Sequence, residues 1–163
     1  MVPVTTSGSA VLTLPTDTQI QIVREFAAPK HLVYKAWTTP ELVKRWWHAK
    51  RGEATIADID LRVGGKWRWV MVTDDGMEVA FHGEYKELIA NERIVHTEVF
   101  EGAPGGEAVT VTLTFEEKDG RTTVTSVTET GDKAIRDMII ETGMEGGMQD
   151  AMDLLEEVAV SLI

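Results

Sequence analysis

Between residues 109 and 115 the chain reads VTVTLTF, an apolar side chain at every second position with threonine between. Alternation with period two describes a strand with one face in a core and the other in water. The pattern recurs on both sides. Glu53 to Leu61, Trp67 to Val72, Met77 to Leu88, Arg93 to Phe100 and Thr122 to Thr130 also read as strands. Asp74-Asp75-Gly76, Asn91-Glu92 and Lys118-Asp119-Gly120 supply turn signals between them, and GAPGG at 102–106 reads as a loop. Turns this short join antiparallel neighbours. Residues 52–130 must therefore form a meander with one apolar face that something has to cover.

The cover lies in residues 132–161. Met144, Met148, Met152, Leu155, Ala159 and Leu162 step by three or four, which makes one apolar stripe on a helix. Gly143, Gly146 and Gly147 interrupt it, and each glycine costs about 1 kcal/mol against alanine inside a helix, so a break or kink is expected within 141–147. Upstream, TQIQIVREF predicts a first strand over 18–27. Pro29 opens a short helix over 29–37; Thr39 in the N-cap position and Pro40 in the first turn open a second over 40–46. Ala10 to Leu14 reads as a short extended piece, and residues 1–9, small and polar, are expected to fray.

This order predicts an α+β helix-grip fold. A curved antiparallel sheet of six to seven strands wraps around the long C-terminal helix, with two short helices after the first strand. Residues 1–17 form a partly extended tail and 18–163 a single domain. Where a strongly bent sheet lifts away from the helix, a cavity is expected.

At 163 residues one domain is the natural expectation. The net charge of −11 disfavours nucleic acid, since an acidic chain repels phosphate. No apolar run approaches the length of a membrane span, and the N-terminal residues lack the pattern of a signal peptide. There is no cysteine, which excludes disulfides and thiolate chemistry and fits a cytoplasmic location. Charge is uneven: 29–52 holds six basic residues and one acid, 131–163 eight acids and two bases. The two segments either face one another, steer a partner, or are simply solvated helix faces.

The stretch REFAAPKHLVYKAWTTPELVKRWW, residues 24–47, resembles the opening signature of the 90-kDa heat-shock-protein ATPase activator homologue family. That family lies within the START-like (SRPBCC, helix-grip) superfamily, with the polyketide cyclases and the birch-pollen-allergen fold. Asp60-Leu61-Arg62-Val63-Gly64-Gly65, Gly83-Glu84-Tyr85-Lys86-Glu87-Leu88 and Gly120-Arg121-Thr122-Thr123-Val124 match further motifs of the family in the same order. The resemblance spans roughly residues 18–160. It implies the helix-grip fold and a hydrophobic cavity. It implies no single activity, because members bind lipids or polyketides, cyclise them, or dock on chaperones, some in stress responses. At 147–148 the chain has Gly-Met where the family usually has Gly-Trp, which implies a softer or roomier cavity floor.

All five tryptophans, Trp37, Trp46, Trp47, Trp67 and Trp69, fall within 33 residues. Each buries about 150–250 Å² when enclosed, so they either form core or line a cavity that a ligand fills. Trp37 and Trp46 are expected in the core. Gly64-Gly65 is expected to make a sharp turn or bulge that aims Trp67, Trp69 and Met71 at the concave side. The expected ligand-binding residues are Trp47, Trp67, Trp69, Met71, Phe81, Val111, Met144, Met148 and Met152. Asp60 and Arg62 share a strand face and suit an ion pair or hydrogen-bonded clamp with a neighbouring strand or loop, the alternative being a catalytic role. His31, His48, His82 and His96 lack the spacing of a metal site, so no metal is expected. His82 is expected in solvent. His96 and Glu98 share a strand face and are expected on the convex, exposed side, the alternative being an acid/base pair in the cavity. Ser7, Ser9, Ser126 and Ser161 lie in no nucleophile elbow, and Gly64-Gly65-Lys66 is no phosphate loop. No convergent catalytic set emerges and no cofactor is implied.

The expected function is binding of a small hydrophobic, lipid- or polyketide-like molecule. The alternatives are a co-chaperone-type module that stimulates a 90-kDa heat-shock ATPase and a cyclase- or hydrolase-like enzyme that uses the same cavity. The expected partner is the small ligand, with neither nucleic acid nor a membrane span; a homodimer stays open, and a chaperone partner rests on the resemblance.

Overall fold

A computed structural model describes residues 3–5, 10–102 and 107–163. Nine strands, among the described residues, form a single antiparallel sheet. In chain order they are β1 (Pro3–Thr5), β2 (Val11–Thr13), β3 (Gln19–Phe26), β4 (Gly52–Ile59), β5 (Lys66–Thr73), β6 (Glu78–Ile89), β7 (Arg93–Phe100), β8 (Val109–Lys118) and β9 (Arg121–Glu129). Two short helices, α1 (Lys30–Thr38) and α2 (Pro40–Val43), follow β3; α3 (Lys133–Glu141) and α4 (Met144–Ser161) end the chain. The strand order is β1-β2-β3-β9-β8-β7-β6-β5-β4. β3 therefore lies beside β9, and the meander runs outward from β9 to β4.

Laid flat, nine strands would span roughly 40 Å at ~4.8 Å each, far more than one helix can cover. Yet one buried cluster joins Phe26 of β3, Ala57 of β4, Trp67 of β5, Tyr85 of β6, Ile94 of β7, Leu113 of β8 and Val124 of β9. The same cluster takes in Ala151, Leu155, Val158 and Ala159 of α4. The sheet must wrap around the helix for that to happen. Bulges help it bend: the β4–β5 register shifts between Ala54 and Ile56, and the β6–β7 register between Tyr85 and Glu87. The helix-grip fold is as the sequence predicts, and β1 and β2 raise the strand count beyond six to seven.

β2 is not loosely attached. It pairs with β3, and Ala10 and Leu12 are fully buried. The buried Gln149 amide on α4 accepts from the Ala10 N–H (3.1 Å) and donates to the Ala10 carbonyl (2.7 Å), which satisfies both backbone groups where no strand reaches them. Pro3–Thr5, expected to fray, pairs with β2. The rest of 1–9 and of the GAPGG loop beyond Gly102, with Ser7 and Ser9, lies outside the described residues.

The C-terminal helix divides where the glycines suggest. Asp132 caps α3 through the Ala134 N–H (2.7 Å), and Gly143, at φ 77°, separates α3 from α4. Gly146 and Gly147 remain inside α4 beside the Arg51 guanidinium, which pairs with Asp150 at 2.7 Å. That bridge joins the basic and acidic segments. Arg24, only 5% exposed, ties β3 to the other end of α4 through Asp153 and Glu156, both at 2.9 Å. At α2 Thr39 takes the N-cap position without a side-chain cap and Pro40 the first turn; the helix ends at Val43, three residues short of expectation. β4 stops at Ile59, so Asp60 and Arg62 pair (2.9 Å) in the following turn rather than on a strand, both exposed.

Candidate functional site

Between the concave face and the N-terminal half of α4 lies a cavity of about 260 Å³. Ile94, Val111 and Leu113 form part of its strand wall; Met144, Met148, Ala151 and Met152 form the helix wall. Trp37, Trp46 and Trp47, from α1 and the segment after α2, close one side. A second recess of about 110 Å³ adjoins it, lined by Trp47, Trp67, Trp69, Phe81 and Glu98.

The tryptophans pack on one another as well as on the void. Trp37 meets Trp46 (ring centroids 5.4 Å apart), Trp46 meets Trp69 (5.9 Å), Trp69 meets both Trp47 (5.7 Å) and Trp67 (5.3 Å), and Trp47 meets Phe81 (5.9 Å). Edge-to-face contacts of this kind hold large rings in fixed poses. Trp46 is nearly fully buried and donates its indole N–H to the Ala36 carbonyl at 2.9 Å, which folds the α2 segment back on α1. The five rings thus support each other and border the void together.

Two glycine devices set the cavity wall. Gly64 has φ 84°, a left-handed turn conformation, and a Cβ on Gly65 would lie 2.0 Å from the Asp60 carbonyl oxygen. Their backbone then joins β6: Gly64 N–H donates to the Tyr85 carbonyl (2.8 Å) and Tyr85 N–H to the Gly65 carbonyl (2.9 Å). This fixes where β5 begins, and with it the inward parity of Trp67 and Trp69. The second device is Gly83, on β6 opposite the Thr97 carbonyl. A Cβ there would lie 1.9 Å from that oxygen. Its absence lets the carbonyl accept the Trp67 indole N–H (3.2 Å) and the His96 Nδ1–H (3.0 Å). A carbonyl can only accept, so His96 carries its proton on Nδ1 and leaves Nε2 as a free acceptor.

His96 and Glu98 both line the cavity, which corrects the expectation that they face solvent on the convex side. Burial pulls the His96 imidazole below its ordinary range, although the bond to Thr97 opposes this, so the ring is neutral near pH 7. Burial alone pushes the Glu98 carboxyl up to about 7. Part of each side chain remains accessible because it borders the void. The Tyr85 hydroxyl, also on the wall, is raised by burial first and then by Tyr34, and stays protonated. A carboxyl that titrates near neutrality beside a neutral imidazole can exchange a proton with a bound molecule.

The Glu98 shift has a sign for stability. A carboxyl with a raised folded pKa favours the folded state below its unfolded value, and that contribution is lost as pH rises through about 7. At about 1.36 kcal/mol per pKa unit the loss is on the order of 2 kcal/mol, allowing for partial solvent access. Glu98→Gln should therefore melt about 4–8 °C above the wild type at pH 8 and nearly with it at pH 4.5. Calorimetry at the two pH values checks this; equal gains at both would show that the charge is not the cause.

Of the sequence-predicted residues, Trp47, Trp67, Trp69, Val111, Met144, Met148 and Met152 line the larger cavity and Phe81 the recess. Met71 is the exception. It is buried opposite Ala54 and Val79, beyond both cavities, near the β4 bulge at Ala54–Ile56. Glu98, His96 and Tyr85 are the titratable wall residues that the sequence reading did not place there; Ile22, Ser126 and Thr128 also line the cavity without having been expected. Ile94, two residues before His96, is buried at 1% exposure and carried the parity. Val95 and Val99 on the other face hid it, since both faces of β7 look apolar. His82 is exposed and pairs with Glu101 at 2.9 Å. Among the described residues no group of three or more His, Asp or Glu side chains is placed to hold a metal, and no helix is long and apolar enough to cross a membrane.

Comparison with solved structures agrees with this architecture. A crystal structure of a protein from Rhodobacter sphaeroides superposes with a TM-score of 0.84 at 22% identity, covering 93% of this chain and 98% of that one. A solution structure from Staphylococcus epidermidis gives 0.77 at 27% identity, over 92% and 94% of the two chains. The chain is also 32% identical over 104 residues to the human activator of 90 kDa heat shock protein ATPase homolog 1, a match that takes in 64% of this chain and 27% of that protein. It thus spans about a quarter of the length of the curated relatives it matches. The family model described as Activator of Hsp90 ATPase homolog 1-like protein matches residues 27–159, from just after β3 through almost all of α4, and so takes in every cavity-lining residue except Ile22; the chain belongs to that family.

Proposed function

We propose that the chain binds a small, largely apolar molecule in the cavity between sheet and helix. The observation that carries this is the void itself. Five tryptophans and three methionines converge there and still leave about 260 Å³ unfilled, just below the ~300–1,000 Å³ typical of ligand sites, with the adjoining recess adding about 110 Å³. Empty apolar space forfeits packing contacts, and a ligand restores them. The methionines of α4 let the floor adapt to its shape.

Apolar probes should quench or shift the tryptophan emission and raise the melting temperature. Met148→Trp, which places the ring usual in the family on the cavity floor, should weaken probe binding about tenfold or more while the fold persists. Fluorescence titration and melting of both proteins check this. Probes that bind wild type and variant alike, or neither, would remove the cavity from consideration.

A second reading comes from the curated relatives, whose name describes activation of a 90-kDa heat-shock ATPase. It makes the chain a chaperone-docking module. Faster ATPase turnover on adding the chain carries that reading, and unchanged turnover removes it.

A further inference from the structure

The small recess beside the main cavity has an unusual composition. Its walls are three indoles and a phenyl ring, and its polar member is the carboxyl of Glu98. Trp47 stands at 70° to Trp69 and at 88° to Phe81, with centroids 5.7 and 5.9 Å away. All four rings border one recess of about 110 Å³, so a group at its centre lies inside the ~6 Å reach of a cation–π contact. The recess shares Trp47, Trp67, Trp69 and Glu98 with the larger cavity, so one molecule can occupy both.

Among the described residues no lysine or arginine lines either space. Burial is the sole influence on the Glu98 carboxyl, so among the described residues no cation stands close enough to offset it. The other titratable groups on these walls are His96 of β7, neutral with Nε2 as an acceptor, and Tyr85 of β6, protonated. From the remaining elements the recess and cavity receive Trp67 and Trp69 (β5), Phe81 (β6), Ser126 and Thr128 (β9), and Met148 and Met152 (α4), none of them charged. The site therefore offers negative charge, ring faces and lone pairs, and it lacks a positive group for an anion.

We propose that the ligand is an amphiphile with an organic cation at one end, an alkylammonium or quaternary ammonium group held by the Trp47–Trp67–Trp69–Phe81 box against Glu98, with its apolar body in the larger cavity. This rests on the ligand-binding reading above and adds the chemistry of the head group. The cation supplies the charge the buried carboxylate lacks and meets ring faces in place of water. Binding selects the ionised carboxylate, so a proton is released when the ligand enters a protonated site.

The test uses the whole chain and three octyl probes below their micelle concentrations: octyltrimethylammonium, octanol and octanoate. Titration calorimetry should show the cation binding about tenfold or more tighter than octanol, with octanoate weakest. Cation affinity should rise with pH and level off above about 7, where Glu98 is ionised. Glu98→Gln should erase both the preference and the pH dependence, and Trp47→Leu should reduce the preference in a protein that still melts cooperatively. Octanol binding as tightly as the cation would overturn the cation assignment and leave the apolar-ligand reading standing. Octanol binding that strengthens below pH 7 would do the same, by showing a protonated Glu98 that donates to a neutral ligand. Failure of all three probes would remove the ligand-binding reading itself.

Discussion

Replacing Gly83 by alanine should cost about 3–5 kcal/mol and lower the melting temperature by roughly 6–20 °C. The added Cβ would stand 1.9 Å from the Thr97 carbonyl oxygen, a backbone atom that no rotamer change can move aside. Relief requires the carbonyl to turn away or the strands to part. If the carbonyl turns, the Trp67 indole and the His96 imidazole lose their shared acceptor. Each buried donor left without a partner costs about 1–3 kcal/mol, and two of them account for most of the estimate. The effect should also be local. In any folded fraction His96 should lose its fixed tautomer and titrate still further below the ordinary range, because the bond that opposes burial is gone, and Trp67 emission should shift. Thermal melts and the ring-nitrogen shifts of His96 check both parts. An alanine variant of wild-type stability with an unchanged His96 would show that the Thr97 carbonyl does not hold these rings.

Removing the Arg24 guanidinium should be the next most damaging change. Arg24 is 5% exposed, bonds Asp153 and Glu156 of α4, reaches the Glu25 carbonyl, and lies 4.8 Å from the Phe26 ring centroid. Glu156 also accepts the Ala27 N–H at 2.9 Å, so one carboxylate links the end of β3, the start of α1 and the helix. Breaking a buried pair costs about 3–5 kcal/mol when the abandoned charge stays buried. Here Asp153 is about half exposed and can turn to water, so Arg24→Ala should cost about 3 kcal/mol. Arg24→Met, which keeps the packing of the stem, should recover part of it. The pH dependence carries a second signature. Burial pushes the Glu156 carboxyl up, but the bonds from Arg24 and Ala27 outweigh it and hold it below its ordinary value. A depressed carboxyl stabilises the fold above its unfolded pKa, and that contribution fades as pH falls through the folded one. Urea unfolding of wild type and variant should differ most near neutrality and converge in acid. A constant difference from pH 7 to pH 3 would point to lost packing rather than lost charge.

Strand parity explains which parts of the site could be read from the chain. In β8 every apolar residue falls on one face and threonine on the other, so Val111 and its neighbours could be placed inward without a structure. Trp67 and Trp69 follow a glycine turn and an unbroken alternation, and they too face the cavity. Met71 continues the same sequence alternation but is buried outside both voids, beside the β4 register shift at Ala54–Ile56, where Val70 is buried as well. On β7 both faces carry branched apolar residues, so parity says nothing, and the polarity of His96 and Glu98 pointed the wrong way. Polar residues are placed outward by default because burying them is costly. Here Thr97 offsets that cost for His96, and Glu98 bears it as a raised pKa.

By itself the sequence determined the antiparallel meander, the helix stripe that covers it, the break at Gly143 and the crowding of tryptophans into one part of the fold. These follow from local periodicity and turn chemistry, which act between neighbours along the chain. Tertiary structure decided that the sheet would gain β1 and β2 at its edge, that five tryptophans would pack together and still leave a void, and that a carboxyl without a protein cation would face it. Those outcomes depend on how far a twisted sheet lifts from its helix. That distance is a sum of small bends and bulges over nine strands, and no single stretch of residues encodes it.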